Sequence, residues 1–227
     1  MNLTILKTFR HEVYGCFGQA KDAMFNTIDA LLTEDRARSF PELSLSPLFV
    51  RQWPSLYEGM EDGKIDQQRL REVFTTFLPP PSAGQALWVG IDVSGIARPR
   101  SVTSSDRSAQ YVHNLPECEK PVTYGWQFST AVALPETPSS WSYALDQQRV
   151  STETTAAQVA FAQMQQLVPL LPASTIFVLD RGYDSTYLWC QCSGLTTAAL
   201  FWRDTVLRTI WRDMAQFIKE WVREIGG

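Results

Sequence analysis

Two carboxylates in this 227-residue chain each stand at the end of an apolar run. Leu87-Trp88-Val89-Gly90-Ile91 follows a breaker, Pro79 to Gly84, and runs into Asp92, after which Ser94-Gly95 reads as a small-residue turn. Thr175-Ile176-Phe177-Val178-Leu179 runs in the same way into Asp180-Arg181-Gly182-Tyr183. Short apolar runs rich in β-branched residues, bounded by Pro and Gly, read as buried strands. A carboxylate in such a place needs a cation, an Arg or a set of backbone amides, because an isolated charge in low dielectric is too costly. Two carboxylates converging at a sheet edge can hold hard divalent cations. Mg²⁺ prefers oxygen ligands and keeps several waters, which leaves room for a phosphodiester. Two ions about 4 Å apart activate the attacking oxygen and stabilise the leaving one in an in-line displacement.

Holding that spacing takes rigid elements. Leu6, Phe9, Val13, Phe17, Ala20, Met24, Ile28 and Leu31 step by three or four, one helix face interrupted at Gly15 or Gly18, with Asp22 opening a second segment. Three prolines between Ser39 and Pro54 leave loop with short helical turns. Asp66 is the expected N-cap of a helix from Gln67 to Leu78, with Leu70, Val73, Phe74 and Phe77 on one face. Residues 1–78 thus read as a small all-helical region, and 79–85 as a stiff Pro-rich linker.

Beyond the Asp92 strand, Ser101 to Ser108 reads as loop and the stretch to Lys120 as hydrophilic. Val122 to Leu134 and Trp141 to Val150 read as strands joined by a turn at Pro135 to Pro138, with Trp141, Tyr143 and Leu145 facing one way. Thr154 to Leu171 reads as a helix, with Val159, Met164, Leu167 and Leu171 inward and its glutamines outward. After the Asp180 strand come a short helix from Ser185, capped by Asp184, and a strand from Thr196 to Trp202. Three strands can form an antiparallel meander, and the helix then returns the chain to a strand parallel to the first. Asp180 would then lie beside Asp92. This is the arrangement of the ribonuclease-H-like fold, an α/β mixed sheet, here preceded by the helical N-terminal region. The expected core spans 86–202; residues 203–227 read as an amphipathic C-terminal helix with Val206, Ile210, Met214, Phe217, Trp221 and Ile225 on its apolar stripe.

At 44% apolar the chain can bury a real core, and a net charge of −4 is not the footprint of a strong nucleic-acid binder. Arg98, Arg100 and Arg107 nevertheless follow the Asp92 strand closely, where a polyanion could approach. Cys16, Cys118, Cys190 and Cys192 show no disulfide framework, and the N-terminus lacks a signal-peptide layout, so a cytoplasmic setting is expected. Cys190-Gln191-Cys192 reads as two ordinary half-buried thiols rather than a zinc site, and Asp106 as a solvated loop charge. His11 and His113 have no partner suggesting a hydrolase triad.

Gly90-Ile91-Asp92-Val93-Ser94 and Val178-Leu179-Asp180-Arg181-Gly182-Tyr183-Asp184, with Tyr124-Gly125-Trp126-Gln127 between them, resemble the DDE-type transposases of bacterial insertion sequences, in the superfamily-endonuclease group. The likeness covers roughly residues 5 to 200. It implies Asp92 and Asp180 as the first two catalytic, metal-binding acids, with Mg²⁺ (or Mn²⁺) as cofactor. It also implies element ends and target DNA as partners, bound in the bacterial cytoplasm at the nucleoid. The implied reaction cuts DNA at the 3′ end of the element and uses that hydroxyl to attack target DNA.

The resemblance also calls for a third acid, usually Glu, on a helix well beyond the second Asp. Only 47 residues follow Asp180, and Glu220 and Glu224 are the candidates there, set against a plain solvated helix face. A truncated or frame-shifted transposase with impaired activity is therefore the expectation. Two other functions compete. One is a non-catalytic DNA-binding or dimerising remnant, since an uncovered stripe in 203–227 would drive self-association into a homodimer. The other is a sugar-kinase-like or actin-like ATPase, suggested by the strand into Asp92-x-x-Gly95 and opposed by the lack of a second Gly-rich phosphate loop. Structural roles are simpler still: Asp92 accepting amides from a Ser94-Gly95 turn, and Asp180 paired with Arg181.

Overall fold

The stretch from Gly15 to Ala20 does break the first apolar stripe, giving α1 (Leu3–Gly15) and α2 (Lys21–Thr33) in a computed structural model that describes residues 3–37, 39–111, 122–137, 141–195 and 198–201. Ala20 sits in the left-handed region at φ 55°, and this resets the helical phase. The inward residues of α2 are consequently Ala23, Thr27 and Ala30, while Leu31, expected on the inner face, is 58% exposed. The expected single stripe from Leu6 to Leu31 is thus two faces at different angles. Next come α3 (Phe40–Leu43), α4 (Pro54–Asp62) and α5 (Gln67–Thr76). Asp66 caps α5 by accepting the Arg69 N–H at 3.0 Å. Phe9 of α1 meets the rings of Phe74 and Phe77 at 6.1 and 5.3 Å, and Arg10 grips Asp29 of α2 with two bonds of 2.6 and 2.9 Å. Ala30, Leu43, Phe49 and Leu56 form the small core of this unit, which spans Met1–Phe77.

The second unit, Leu78–Gly227, is built on a six-stranded mixed sheet. Its strands are β1 (Leu87–Ala97), β2 (Ser108–Tyr111), β3 (Val122–Ala133), β4 (Tyr143–Val150), β5 (Thr175–Leu179) and β6 (Ala198–Phe201). β1 pairs antiparallel with β3, which pairs antiparallel with β4 and, nearer its start, with β2. On its other side β1 runs parallel to β5, and β5 parallel to β6. That is the ribonuclease-H-like order expected from the sequence. Helix α6 (Ala156–Leu167) makes the return to β5, and α7 (Thr186–Cys192) joins β5 to β6.

Two features of the sheet differ from the sequence reading. Ser94-Gly95 is not a turn: β1 continues to Ala97, with Ser94 paired to Phe128 and Gly95 to Gln127. Small residues are needed there for clearance, because a Cβ on Gly95 would fall 1.8 Å from the Gln110 side-chain oxygen, and Gln110 is itself buried. The second is β2, a strand where only loop and hydrophilic sequence were expected; four residues are too few to show an alternating pattern.

α6 starts at a capping box, in which Thr155 Oγ1 accepts the Gln158 N–H at 3.2 Å and Gln158 Oε1 accepts the Thr155 N–H at 2.9 Å. Its buried face is Val159, Ala160, Gln163, Met164 and Leu167, packed with Val89, Ile91, Ala131, Leu145, Phe177 and Leu179 of the sheet. Gln163 breaks the expectation of outward glutamines. It is fully buried because its amide has partners: it accepts from Ser129 Oγ at 2.6 Å and donates to the Ser129 carbonyl at 3.1 Å and to Asp146 Oδ2 at 3.0 Å. No helix among the described residues is long and apolar enough to cross a membrane. The amphipathic stretch 203–227, Glu220, Glu224 and His113 lie outside the described residues.

Gly125, in the middle of the Tyr124-Gly125-Trp126-Gln127 motif, pairs with Ala97 on one side and Ser108 on the other. A Cβ there would fall 2.1 Å from the Ile96 carbonyl oxygen, a backbone atom with no freedom to swing away. Gly125→Ala is therefore expected to destabilise the protein by about 1–3 kcal/mol, read as a lowered urea midpoint. An unchanged midpoint would show that β1 and β3 can separate locally at no cost.

Candidate functional site

The register of β1 against β5 decides where the two aspartates go. Gly90 pairs with Val178 and Ile91 with Leu179, so Asp92, within β1, and Asp180, the residue just after β5, come next in register. Adjacent strands lie about 4.8 Å apart. Along β1, Val89 and Ile91 face α6, and the alternation turns Gly90, Asp92 and Ser94 to the opposite side. There an open hollow of about 350 Å³ is lined by Gly90, Asp92, Ser94, Thr130, Val132, Leu134 and Ser142.

Each carboxylate is oriented by one backbone amide. Asp92 Oδ1 accepts the Val93 N–H at 2.8 Å, and Asp180 Oδ1 accepts the Gly182 N–H at 2.8 Å. The turn after β5, Arg181–Tyr183, is a single 3₁₀ turn closed by the Tyr183 N–H to the Asp180 carbonyl at 3.2 Å. A Cβ on Gly182 would sit 3.1 Å from Asp180 Oδ1, so the glycine lets the chain fold back close against the carboxylate. The second oxygen of each aspartate has no hydrogen-bond partner among the described residues. The rival reading of Asp92 as the acceptor of a Ser94-Gly95 turn loses its turn, since those residues belong to β1.

Charge explains what this pair needs. Crowding by the surrounding protein pushes the Asp92 pKa above the usual carboxylate range; the Val93 amide lowers it in part, and the charge of Asp180 raises it again. Two carboxylates that repel each other, each with one oxygen left over, fit a hard cation. Among the described residues no group of three or more His, Cys, Asp or Glu side chains gathers anywhere. Cys190 is exposed and Cys192 half-buried, and both thiols are free.

Three other expectations change. The N-cap of α7 is Ser185, which accepts the Leu188 N–H at 3.3 Å, and not Asp184. Asp106 is no solvated charge. It accepts the Thr152 N–H at 2.6 Å and hydroxyl at 2.8 Å, and these bonds hold its pKa below the usual range; Arg149 adds an ion pair at 3.1 Å. Arg107 turns inward to donate to the carbonyls of Arg98 at 2.8 Å and Pro99 at 3.3 Å, so it shapes the loop after β1 rather than standing free for a polyanion. Sequence reasoning passed over Tyr183, which closes the turn after Asp180 and is buried in the core. Its signal was present in the motif, as an aromatic residue directly after a strand-ending Asp-x-Gly.

The raised pKa of Asp92 carries a stability consequence. A carboxylate that holds its proton more tightly when folded than when unfolded contributes stability below its unfolded pKa and loses it as pH rises through the folded value. Ionised Asp92 is therefore a cost at neutral pH, kept small because the residue is solvent-exposed. Asp92→Asn is expected to raise the melting temperature of the metal-free protein at pH 7, the gain vanishing below about pH 4. A lower melting temperature at pH 7 would mean that the charge is compensated within the fold.

A family model described as DDE superfamily endonuclease matches residues 12–215. Among solved structures, the piggyBac transposase in a synaptic complex with hairpin DNA is similar at a TM-score of 0.41 and 14% identity, over 85% of this chain and 43% of that one. The chain thus spans less than half the length of that transposase. No curated protein matches it. With the family match covering most of its length, the chain belongs to the DDE superfamily endonucleases.

Proposed function

We propose that the chain is the nuclease portion of a transposase, in which Asp92 and Asp180 hold Mg²⁺ or Mn²⁺ and cut DNA strands at the ends of an insertion sequence. The observation that carries this reading is the register: Asp92 in β1 and Asp180 just past the end of the parallel β5 are close enough that the charge of Asp180 raises the pKa of Asp92. Family membership supports the same chemistry. Bound divalent cations would supply charge neutralisation and polarise the attacking and leaving oxygens of a phosphodiester.

The chain's own residues set the stage for this. Two carboxylates alone repel a phosphodiester, so the site favours DNA only when it is loaded with cations. β1 and β5 fix the carboxylate spacing, and the Val93 and Gly182 amides fix their rotation. The hollow beside Asp92 leaves that carboxylate open to a strand of nucleic acid. Glu220 and Glu224 remain the candidates for a third acid.

A second reading, the remnant that binds DNA without cutting it, keeps a foothold in the two-carboxylate count among the described residues. DNA carrying the ends of the encoding element separates the two. The expected result is a gel shift together with slow nicking that requires Mn²⁺ or Mg²⁺. Asp92→Asn and Asp180→Asn should each depress nicking by more than the roughly 10–100-fold typical of losing an outer-shell partner. A shift without nicking establishes the remnant, and nicking indifferent to both substitutions removes these aspartates from the chemistry.

A further inference from the structure

Burial alternates along β3. Thr123, Gly125, Ser129, Ala131 and Ala133 are buried, while Tyr124, Trp126, Phe128, Thr130 and Val132 between them reach solvent. A period of two puts the second set on one face of the sheet. Register with β1 fixes its place: Thr130 pairs with Asp92, Phe128 with Ser94 and Trp126 with Ile96. Thr130 and Val132, with Leu134 just beyond the strand, line the hollow beside Asp92. The remainder of the row is aromatic. A single strand face thus runs without a break from the hollow through Phe128 and Trp126 to Tyr124.

Core packing does not account for these rings. Tyr124 is 56% exposed, and Trp126 and Phe128 are half-buried. Ring-on-ring contacts among the described residues all involve other aromatics, those of the helical unit. Trp126 is held in place by other means: its indole N–H donates to the Ser105 carbonyl at 3.3 Å, and the Arg149 guanidinium lies 5.3 Å from its ring centre. Cations border the aromatic end. The Arg98 N–H bonds the Tyr124 carbonyl at 2.8 Å, and the Arg98 and Arg100 side chains are exposed. Between β1 and β2 the acid set against Arg98, Arg100 and Arg107 is Asp106, already engaged by Thr152 and Arg149. Aromatic faces flanked by arginines suit the bases and phosphates of a nucleic-acid strand. Spacing decides which kind. Alternate residues of an antiparallel strand lie about 6.8 Å apart, twice the roughly 3.4 Å between successive nucleotides along one strand of a duplex. A strand laid along this row meets the rings with its bases unstacked, which a duplex does not allow.

We propose that Tyr124, Trp126 and Phe128 form a stacking platform for the unpaired bases of single-stranded DNA, and that it leads such a strand along β3 to the hollow at Asp92. The inference rests on the nuclease reading above and narrows its substrate to DNA that is locally unpaired beside the cut. Every base presents a π-face, so the platform distinguishes unpaired from paired DNA and is indifferent to sequence. Tyr124, the most exposed of the three, is the ring whose loss is read most directly.

Fluorescence anisotropy of the full chain tests this, with a labelled thymidine oligonucleotide and a duplex of the same length as probes and Mg²⁺ present. The expected result is tighter binding of the single strand, weakened on the order of 10-fold by Tyr124→Ala and by Tyr124→Leu and retained by Tyr124→Phe. Melting curves of the three variants should match wild type, since the side chain is largely exposed. Wild-type affinity in Tyr124→Leu overturns the platform, because apolar area and not a ring would then suffice. Tighter binding of the duplex overturns it too. So does a self-association, seen by sedimentation, that Tyr124→Ala dissolves while DNA binding stays unchanged, since the rings would then serve a second copy of the chain. The nuclease reading fails separately: Tyr124-dependent binding without metal-dependent nicking sinks that reading and upholds the platform, whereas Asp92-dependent nicking with binding indifferent to Tyr124→Ala sinks the platform alone.

Discussion

The pairing of β1 with β5 brings two like charges next to each other in register, and much of the sheet follows from making that tolerable. Parallel strands need a long return connection, which α6 provides. The return requires an inner face packed on the sheet, and Val159, Met164 and Leu167 supply it against Ile91 and Phe177. Carboxylates on loops could drift apart and relieve their repulsion. Asp92 within β1 and Asp180 just past the end of β5 are tied to a paired register and cannot.

The hydrogen bonds of the buried Gln163 amide are the second contributor to rigidity. Gln163 sits four residues after Val159 and four before Leu167, squarely on the inner face of α6. An apolar residue there would fill space, but the amide also fixes Ser129 and Asp146 relative to the helix. Satisfied buried hydrogen bonds of this kind are directional in a way that apolar contacts are not. They select one register of helix against sheet.

What the sequence disclosed and what it hid follow a physical line. The two strand-Asp runs, the cap at Asp66, the break near Gly15 and the helix before Pro172 were legible because each depends on local pattern: an apolar run, a side-chain oxygen, a flexible residue, a missing donor. The errors arose where tertiary contacts overrule local signals. Ser94-Gly95 looks like a turn by composition but is strand, because Gln110 from β2 lies over it. Gln163 looks solvent-facing by polarity and is buried because partners exist on two other strands. The phase of α2 could not be followed through Ala20, whose left-handed backbone no propensity for alanine foretells. The neighbouring positions of Asp92 and Asp180 were readable from the two strand runs, whereas the amides that orient them needed coordinates.

The latch at Asp106 bears on how this protein can vary. Its carboxylate reaches across to the Thr152 amide and hydroxyl, while Arg149 donates to the carbonyls of Ser105 and Asp106 and stacks over Trp126. The segment between β1 and β2 is thereby stapled at its far end to the corner where β4 gives way to α6. Most surface segments accept lengthening freely. Here, residues inserted close to Asp106 would pull the staple out, so insertions and deletions are confined to the short span around Ser101 to Ser104, upstream of the fastened end.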